Sequence, residues 1–203
     1  MVRLYHCPQT TSDRVRWLLG ELAVPYEPVL VNLMAGDQRK PDYLKINPNG
    51  LVPALVDGDT VIFESAAIVL YLAEKFGAGT LPAPGTAEKA SFYQWIVFTS
   101  TSLDPPAFQV LLHTALLPEG KRSAAAAEEN RRKFDDAAAV LERGLGTRRY
   151  LLGDTFSAAD VMVAGALHRA AGLGLLAERP ALLRYVERLA DRPAAPFGKH
   201  AAS

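Results

Sequence analysis

The residues of this chain that most directly suggest chemistry are Val52-Pro53-Ala54-Leu55 and Glu64-Ser65. Proline has no N–H to give to a ladder, so Pro53 belongs at the head of a strand and not inside it. A helix that opens on Ser65 presents free backbone N–H groups and the positive end of its dipole. Main chain at a strand head, close to a helix end that attracts an anion, describes a place for a peptide-like, carboxylate-bearing ligand.

Between the two strings, Asp57-Gly58 signals a two-residue hairpin. Ala66 to Leu72 is apolar at helical spacing, so the order here is strand, tight turn, strand, helix. Upstream, Val2 to Tyr5 reads as a short strand ending at His6-Cys7-Pro8. Val15, Leu18, Leu19 and Leu22 then follow the spacing of one buried helical face, with Arg14, Arg16 and Glu21 elsewhere on the helix. Pro25 and Pro28 bracket a turn, and Tyr26 to Leu33 can form a second strand. Met34 to Lys45 reads as polar and irregular, and Asn47-Pro48-Asn49-Gly50 as a dense turn. Residues 78–85 are rich in glycine, alanine and proline and read as a linker.

Beyond the linker, strand signals fade and alanine and leucine dominate. Thr86 to Leu117 reads as helical, with a break or kink at Asp104-Pro105-Pro106. Lys121 to Gly144 reads as a charged helix in which Glu128 faces Arg132 and Glu129 faces Lys133. Ser157 to Ala171 and Pro180 to Leu189 are further helices, and Pro193 to Ser203 has no periodicity. The expected organisation is an α/β domain over 1–77, a linker over 78–85 and an all-α domain over 86–203.

Lys+Arg and Asp+Glu number 22 each, so a balanced charge gives no footprint for nucleic acid or an anionic membrane. No apolar run approaches the ~20 residues that span a bilayer. Met1-Val2-Arg3 leads into a mixed segment unlike a signal peptide. One cysteine excludes an internal disulfide, and the reading is cytoplasmic. His6, His113, His168 and His200 lack metal-ligand spacing, so no metal is expected.

Taken in order, these motifs resemble the soluble, two-domain glutathione S-transferase superfamily, with theta-like and beta-like bacterial features, over most of the chain. The resemblance implies the glutathione transferase fold: a thioredoxin-like α/β N-terminal domain and an all-α C-terminal helical domain. It also implies glutathione as co-substrate, a small-molecule electrophile as the second substrate, a homodimer and a role in detoxification. In the family the proline before Ala-Leu is cis and turns the preceding backbone outward. Val52 and Pro53 would then pair with the cysteinyl part of glutathione as an added strand would. Glu64 and Ser65 match the pair that holds the γ-glutamyl end, Ser65 taking the carboxylate and Glu64 the ammonium. Gln38 and Arg39 are candidates for the glycine carboxylate, a solvated loop being the equal alternative. Many relatives carry a lysine just before Val-Pro; Leu51 stands there in this chain. Phe156-Ser157-Ala158-Ala159-Asp160-Val161 resembles the family's capping box and hydrophobic staple, a folding device.

Conjugation requires a thiolate, and an unperturbed thiol titrates near ~8.5. A hydroxyl that donates to sulfur at a helix N-terminus favours the anion. The family places such a group between the first strand and first helix, here Cys7 to Arg14. Counting back from Arg14 selects Thr10, counting from Pro8 selects Thr11, and Ser12 is a third choice. The order of preference is Thr10, Ser12, Thr11, and Tyr5 lies inside the strand. Thr10-x-x-Asp13 is equally a capping box, which would give these hydroxyls a structural role. Cys7-Pro8 resembles the start of a glutaredoxin or omega-class site, so a glutathione-dependent thiol-disulfide reductase using Cys7 is an alternative. A buried, inert cysteine explains Cys7 more simply. A non-catalytic glutathione-binding or scaffold protein is a third reading. Asp104 would face the γ-glutamyl ammonium across a dimer or simply start the turn at Pro105. Phe108, Leu111, Leu112 and His113 would line a pocket for the second substrate or fill a helix core.

Overall fold

Strand β1 (Val2–His6) is flanked on both sides, and the first unit is built around it. It pairs in parallel with β2 (Tyr26–Leu30) and antiparallel with β3 (Ala54–Asp57), which pairs antiparallel with β4 (Thr60–Phe63). The sheet order is β2-β1-β3-β4. The computed structural model describes residues 1–77 and 79–197. His200, the last residues of the unpatterned tail and Ala78 of the linker therefore lie outside the described residues.

Leu4 of β1 faces Leu55 of β3 across the ladder, and both are fully buried. Helix α1 (Ser12–Glu21) connects β1 to β2 and buries Val15, Trp17, Leu18 and Leu19. The segment expected to be irregular contains a single tight turn of helix at Asp37–Arg39 and a short helix α2 (Pro41–Leu44). Pro41 starts α2 because a first helical residue has no N–H to place anyway. The hairpin turn is Gly58-Asp59, one residue later than read from the sequence, because Asp57 pairs with Thr60. Gly58 has φ 60 at the first central position, where the hairpin needs a positive value. Helix α3 (Ser65–Phe76) follows β4 directly. Residues 190–197 belong with this unit. There, Arg192 grips the Glu21 carboxylate with two bonds of 2.7 and 2.6 Å, and Phe197 lies edge-on to Trp17.

The second unit, Pro82–Leu189, is helical. Helix α4 (Ala87–Phe98) begins at the N-cap Thr86, whose side chain accepts the Lys89 N–H. A wide turn over Thr99–Leu103 leads straight into α5 (Asp104–Leu111), and a second wide turn follows over Leu112–Leu116. The prolines 105 and 106 do not break the helix, because they occupy its first turn. The deviation falls just before them, where Thr99, Ser100 and Thr101 bond back to the carbonyls of Trp95, Ile96 and Val97. Helix α6 (Ala124–Leu145) is capped by Ser123 and carries the expected Glu128–Arg132 and Glu129–Lys133 pairs. Gly144 lies against Trp95 of α4, where a Cβ would overlap the indole ring. Helix α7 (Ala158–Gly172) is buried nearly all round, so it forms the centre of this unit. Helix α8 (Pro180–Ala190) completes it.

The capping box at the start of α7 is formed as expected: Asp160 Oδ2 accepts the Ser157 N–H at 2.9 Å and hydroxyl at 2.8 Å. Asp160 Oδ1 also accepts the Leu151 N–H at 2.9 Å and the Tyr185 hydroxyl at 2.7 Å. Burial holds this carboxyl above the usual carboxylate range, and the four donors offset only part of that push.

Candidate active site

Loop and helix start are ordered by a small set of hydroxyls. Gln9 adopts φ 62, and its N–H donates to Asp13 Oδ2 at 2.7 Å. Ser12 is fully buried; its Oγ accepts the Cys7 N–H at 3.1 Å and donates to the Cys7 carbonyl at 2.7 Å. Thr10 Oγ1 lies 2.6 Å from both Ser12 Oγ and the Cys7 carbonyl and accepts the Ser12 N–H at 3.2 Å. These two hydroxyls are therefore engaged in closing the loop.

Thr11 differs. It is the N-cap of α1, yet its side chain caps nothing. Its Oγ1 instead points across to the Val52 carbonyl at 3.3 Å. The capping box expected between Thr10 and Asp13 is not formed, because the Asp13 carboxylate is taken by the N–H of Gln9 and Thr10 by that of Ser12. Cys7 is half-buried at the end of β1, four residues ahead of the helix cap.

Val52-Pro53 is the cis peptide bond of the described backbone. Val52 lies beyond the ladder, whose last pairs are Tyr5 with Ala54 and Ala54 with Phe63. That register sets Val52 and Ser65 at the same end of the β3–β4 hairpin. The segment entering Val52 is fixed from behind: Tyr43 Oη and Asn47 Nδ2, the latter at 2.7 Å, both donate to the Leu51 carbonyl. Burial pushes the Tyr43 phenol up to about 12, so it remains a donor. The sequence offered Asn47 only as a turn residue and gave Tyr43 no part.

Ser65 is the first residue of α3 and is buried, while Glu64 before it is exposed and adopts φ 72, ψ 117. Gln38 and Arg39 sit in the turn that abuts Asn49-Gly50; Arg39 Nη1 lies 3.5 Å from the Asn49 carbonyl. Gln38 Nε2 donates to the Leu33 carbonyl, and its Oε1 is buried without a hydrogen-bond partner among the described residues. Leu51 is exposed. The Tyr5 ring packs on Tyr43, away from the hydroxyl cluster.

Arg14 is the residue the sequence placed on the wrong face. It is fully buried, and its Nη1 lies 3.5 Å from Ser65 Oγ. Its spacing to Trp17 and Leu18, three and four residues on, was the available signal. His6 is also buried, and burial, together with the nearby Arg16 guanidinium, holds its imidazole below the usual range against the opposing pull of Asp13.

In the second unit, Asp104 pairs with Arg169 at 2.6 Å. Phe108 is exposed, and His113 Nδ1 accepts the Ser123 N–H at 3.3 Å.

Residues 1–74 match the family described as glutathione S-transferase, N-terminal domain, and residues 124–188 the glutathione S-transferase, C-terminal domain. Glutathione S-transferase 3 of Zea mays is 36% identical over 203 residues, covering 95% of this chain and 90% of that protein. Glutathione S-transferase GstB of Escherichia coli (strain K12) is 32% identical over 188 residues, covering 91% of this chain and 90% of that one. Among solved structures, the glutathione transferase URE2P6 from Phanerochaete chrysosporium, in complex with oxidized glutathione, aligns with a TM-score of 0.86. It is 29% identical and the alignment covers 96% of this chain and 92% of that one. With a relative this similar along nearly its whole length, the chain belongs to the glutathione S-transferase family.

Proposed function

We propose that the protein conjugates the glutathione thiolate to a small electrophile. The observation that carries this reading is the Thr11 hydroxyl at the N-terminus of α1, directed at the Val52 carbonyl. A cysteinyl residue laid against the Val52 main chain as an added strand would bring its sulfur beside that hydroxyl and the positive end of the helix. Among Thr10, Ser12 and Thr11, Thr11 is the favoured donor to sulfur, since the other two close the Cys7 loop. The thiol proton leaves to solvent, the thiolate attacks the electrophilic carbon, and the leaving group departs with its electron pair.

Val52 and Pro53 hold the cysteinyl main chain, Ser65 and the free N–H groups of α3 take the γ-glutamyl carboxylate, and exposed Glu64 takes its ammonium. Gln38 and Arg39 serve the glycine carboxylate; the exposed Arg39 guanidinium supports this. Residues 1–77 form the glutathione-binding domain and 86–189 the helical domain. The protein acts in the cytoplasm as a detoxifying homodimer. The exposed Tyr93 and Val97, one turn apart on α4, are an apolar face that a second copy would cover. Calorimetric titration with glutathione tests the reading, and a crystal with the tripeptide bound tests the assignment of each group.

A further inference from the structure

Two buried side chains converge on one carbonyl just ahead of Pro53. Tyr43 Oη, on α2, and Asn47 Nδ2, at 2.7 Å, both donate to the Leu51 carbonyl. Each is held in place by a further contact. The Tyr43 ring packs on Tyr5 of β1, and Asn47 Oδ1 accepts the Asn49 N–H at 3.1 Å, which leaves the amide nitrogen for Leu51. The Leu51–Val52 peptide is trans, so its C=O and N–H point in opposite directions. With the carbonyl held toward Tyr43 and Asn47, the Val52 N–H points away from both, and no acceptor among the described residues takes it. A carbonyl that accepts two hydrogen bonds polarises its own amide, and the N–H of that amide becomes the stronger donor.

We propose that Tyr43, with Asn47, is a positioning residue for the cysteinyl carbonyl of glutathione: its hydroxyl fixes the Leu51–Val52 peptide and strengthens the Val52 N–H that donates to that carbonyl. Tyr43 does not touch the ligand; it acts through one peptide group, from the opposite side. Burial, which pushes its phenol up to about 12, keeps it a donor throughout the neutral range. The inference rests on the glutathione reading above and adds to it a side chain that sets the strength of a main-chain contact.

The test compares glutathione with an analogue in which a trans carbon–carbon double bond replaces the cysteinyl–glycine peptide, so that the cysteinyl carbonyl is gone while chain length and planarity are kept. Both are titrated into the unaltered protein and Tyr43→Phe, and turnover is followed with chlorodinitrobenzene. Phenylalanine keeps the ring on Tyr5 and leaves the Leu51 carbonyl with Asn47, so no buried acceptor is orphaned. Tyr43→Phe should weaken glutathione about threefold to fivefold, most of the worth of one neutral hydrogen bond. Its kcat at saturating glutathione should stay within about twofold of the unaltered protein, since the sulfur is held elsewhere. Binding of the alkene analogue should not change, whereas a general loosening of the segment would weaken both ligands. Fluorotyrosine placed at position 43, a more acidic phenol and stronger donor of nearly the same shape, should instead tighten glutathione and leave the analogue as it was. Equal effects on the two ligands, or no effect on glutathione, would overturn the inference and leave the glutathione reading standing. Failure of the unaltered protein to take up glutathione would overturn both. Should Tyr43→Phe not fold, the fluorotyrosine protein decides the matter by the same comparison.

Discussion

The Thr11 hydroxyl reaches the Val52 carbonyl at 3.3 Å, so the start of the first helix meets the main chain just ahead of Pro53. A hydroxyl in that position can redirect its hydrogen bond from the carbonyl to an arriving sulfur by rotation of the O–H. Thr11→Ala should lower kcat by about tenfold or more, because one unit of lost thiolate stabilisation is tenfold in the ionised fraction near neutral pH. Affinity for glutathione should change far less, and Thr11→Ser should restore turnover. Steady-state kinetics with chlorodinitrobenzene checks this.

Glu64 holds a backbone conformation, φ 72 and ψ 117, that side-chain-bearing residues rarely adopt. Such strain costs on the order of 1–3 kcal/mol and persists where function requires it. Glu64→Gly relieves the strain, although glycine's freer unfolded chain returns part of the gain. The variant should be about 1 kcal/mol more stable. It should at the same time bind glutathione more weakly, since the carboxylate proposed to take the γ-glutamyl ammonium is gone. Thermal unfolding and calorimetric titration of the same preparation read both effects.

His6 makes stability fall on mild acidification. Its imidazole titrates below the ordinary value of 6.5 in the folded protein, first through burial and then through Arg16. Above 6.5 the folded and unfolded chains both carry it neutral, and its full contribution is present. As pH drops below that value the unfolded chain takes up the proton first, and stability declines until the folded imidazole is protonated as well. The melting temperature should therefore fall from pH 7 toward pH 5. His6→Gln should show a smaller fall over the same interval, whatever its melting temperature at pH 7.

Asp160 gathers four donors, from Leu151, Ser157 twice and Tyr185, in a fully buried position. Removing the acceptor leaves buried donors without partners, the expensive way to lose hydrogen bonds. Asp160→Ala should cost about 3 kcal/mol or more. For a chain of this size that lowers the melting temperature by roughly 6–12 °C. Tyr185→Phe, which removes one of the four donors and leaves the Asp160 carboxylate with the other three, should cost about 1 kcal/mol. Calorimetry separates the two.

Most of the fold was legible because its signals are local. The β1–α1–β2 and β3–β4–α3 order, the helical second half, the Ser157–Asp160 box and the Glu64-Ser65 helix start all follow from turn residues, periodicity and caps. What was not legible depends on atoms brought together from distant segments. Thr11 could not be ranked above Thr10 without the Val52 carbonyl, 41 residues away, that it faces. Arg14 reads as a surface charge until Ser65 of α3 is placed beside it. The short helix Pro41–Leu44 has too few residues for a period, and its Tyr43 matters through Leu51. The two prolines after Asp104 suggested a break because proline is disruptive inside a helix, whereas here they fall in the first turn of α5, directly after the wide turn at Thr99–Leu103.

Absorbance of the thiolate of bound glutathione, followed against pH in the unaltered protein and in Thr11→Ala, tests the central claim most directly. The unaltered protein should hold glutathione with its thiol titrating at least about one unit below the free value near 8.5, and Thr11→Ala should return it most of the way. Glutathione that fails to bind, or that binds with its thiol titrating as it does free in solution, would contradict the account.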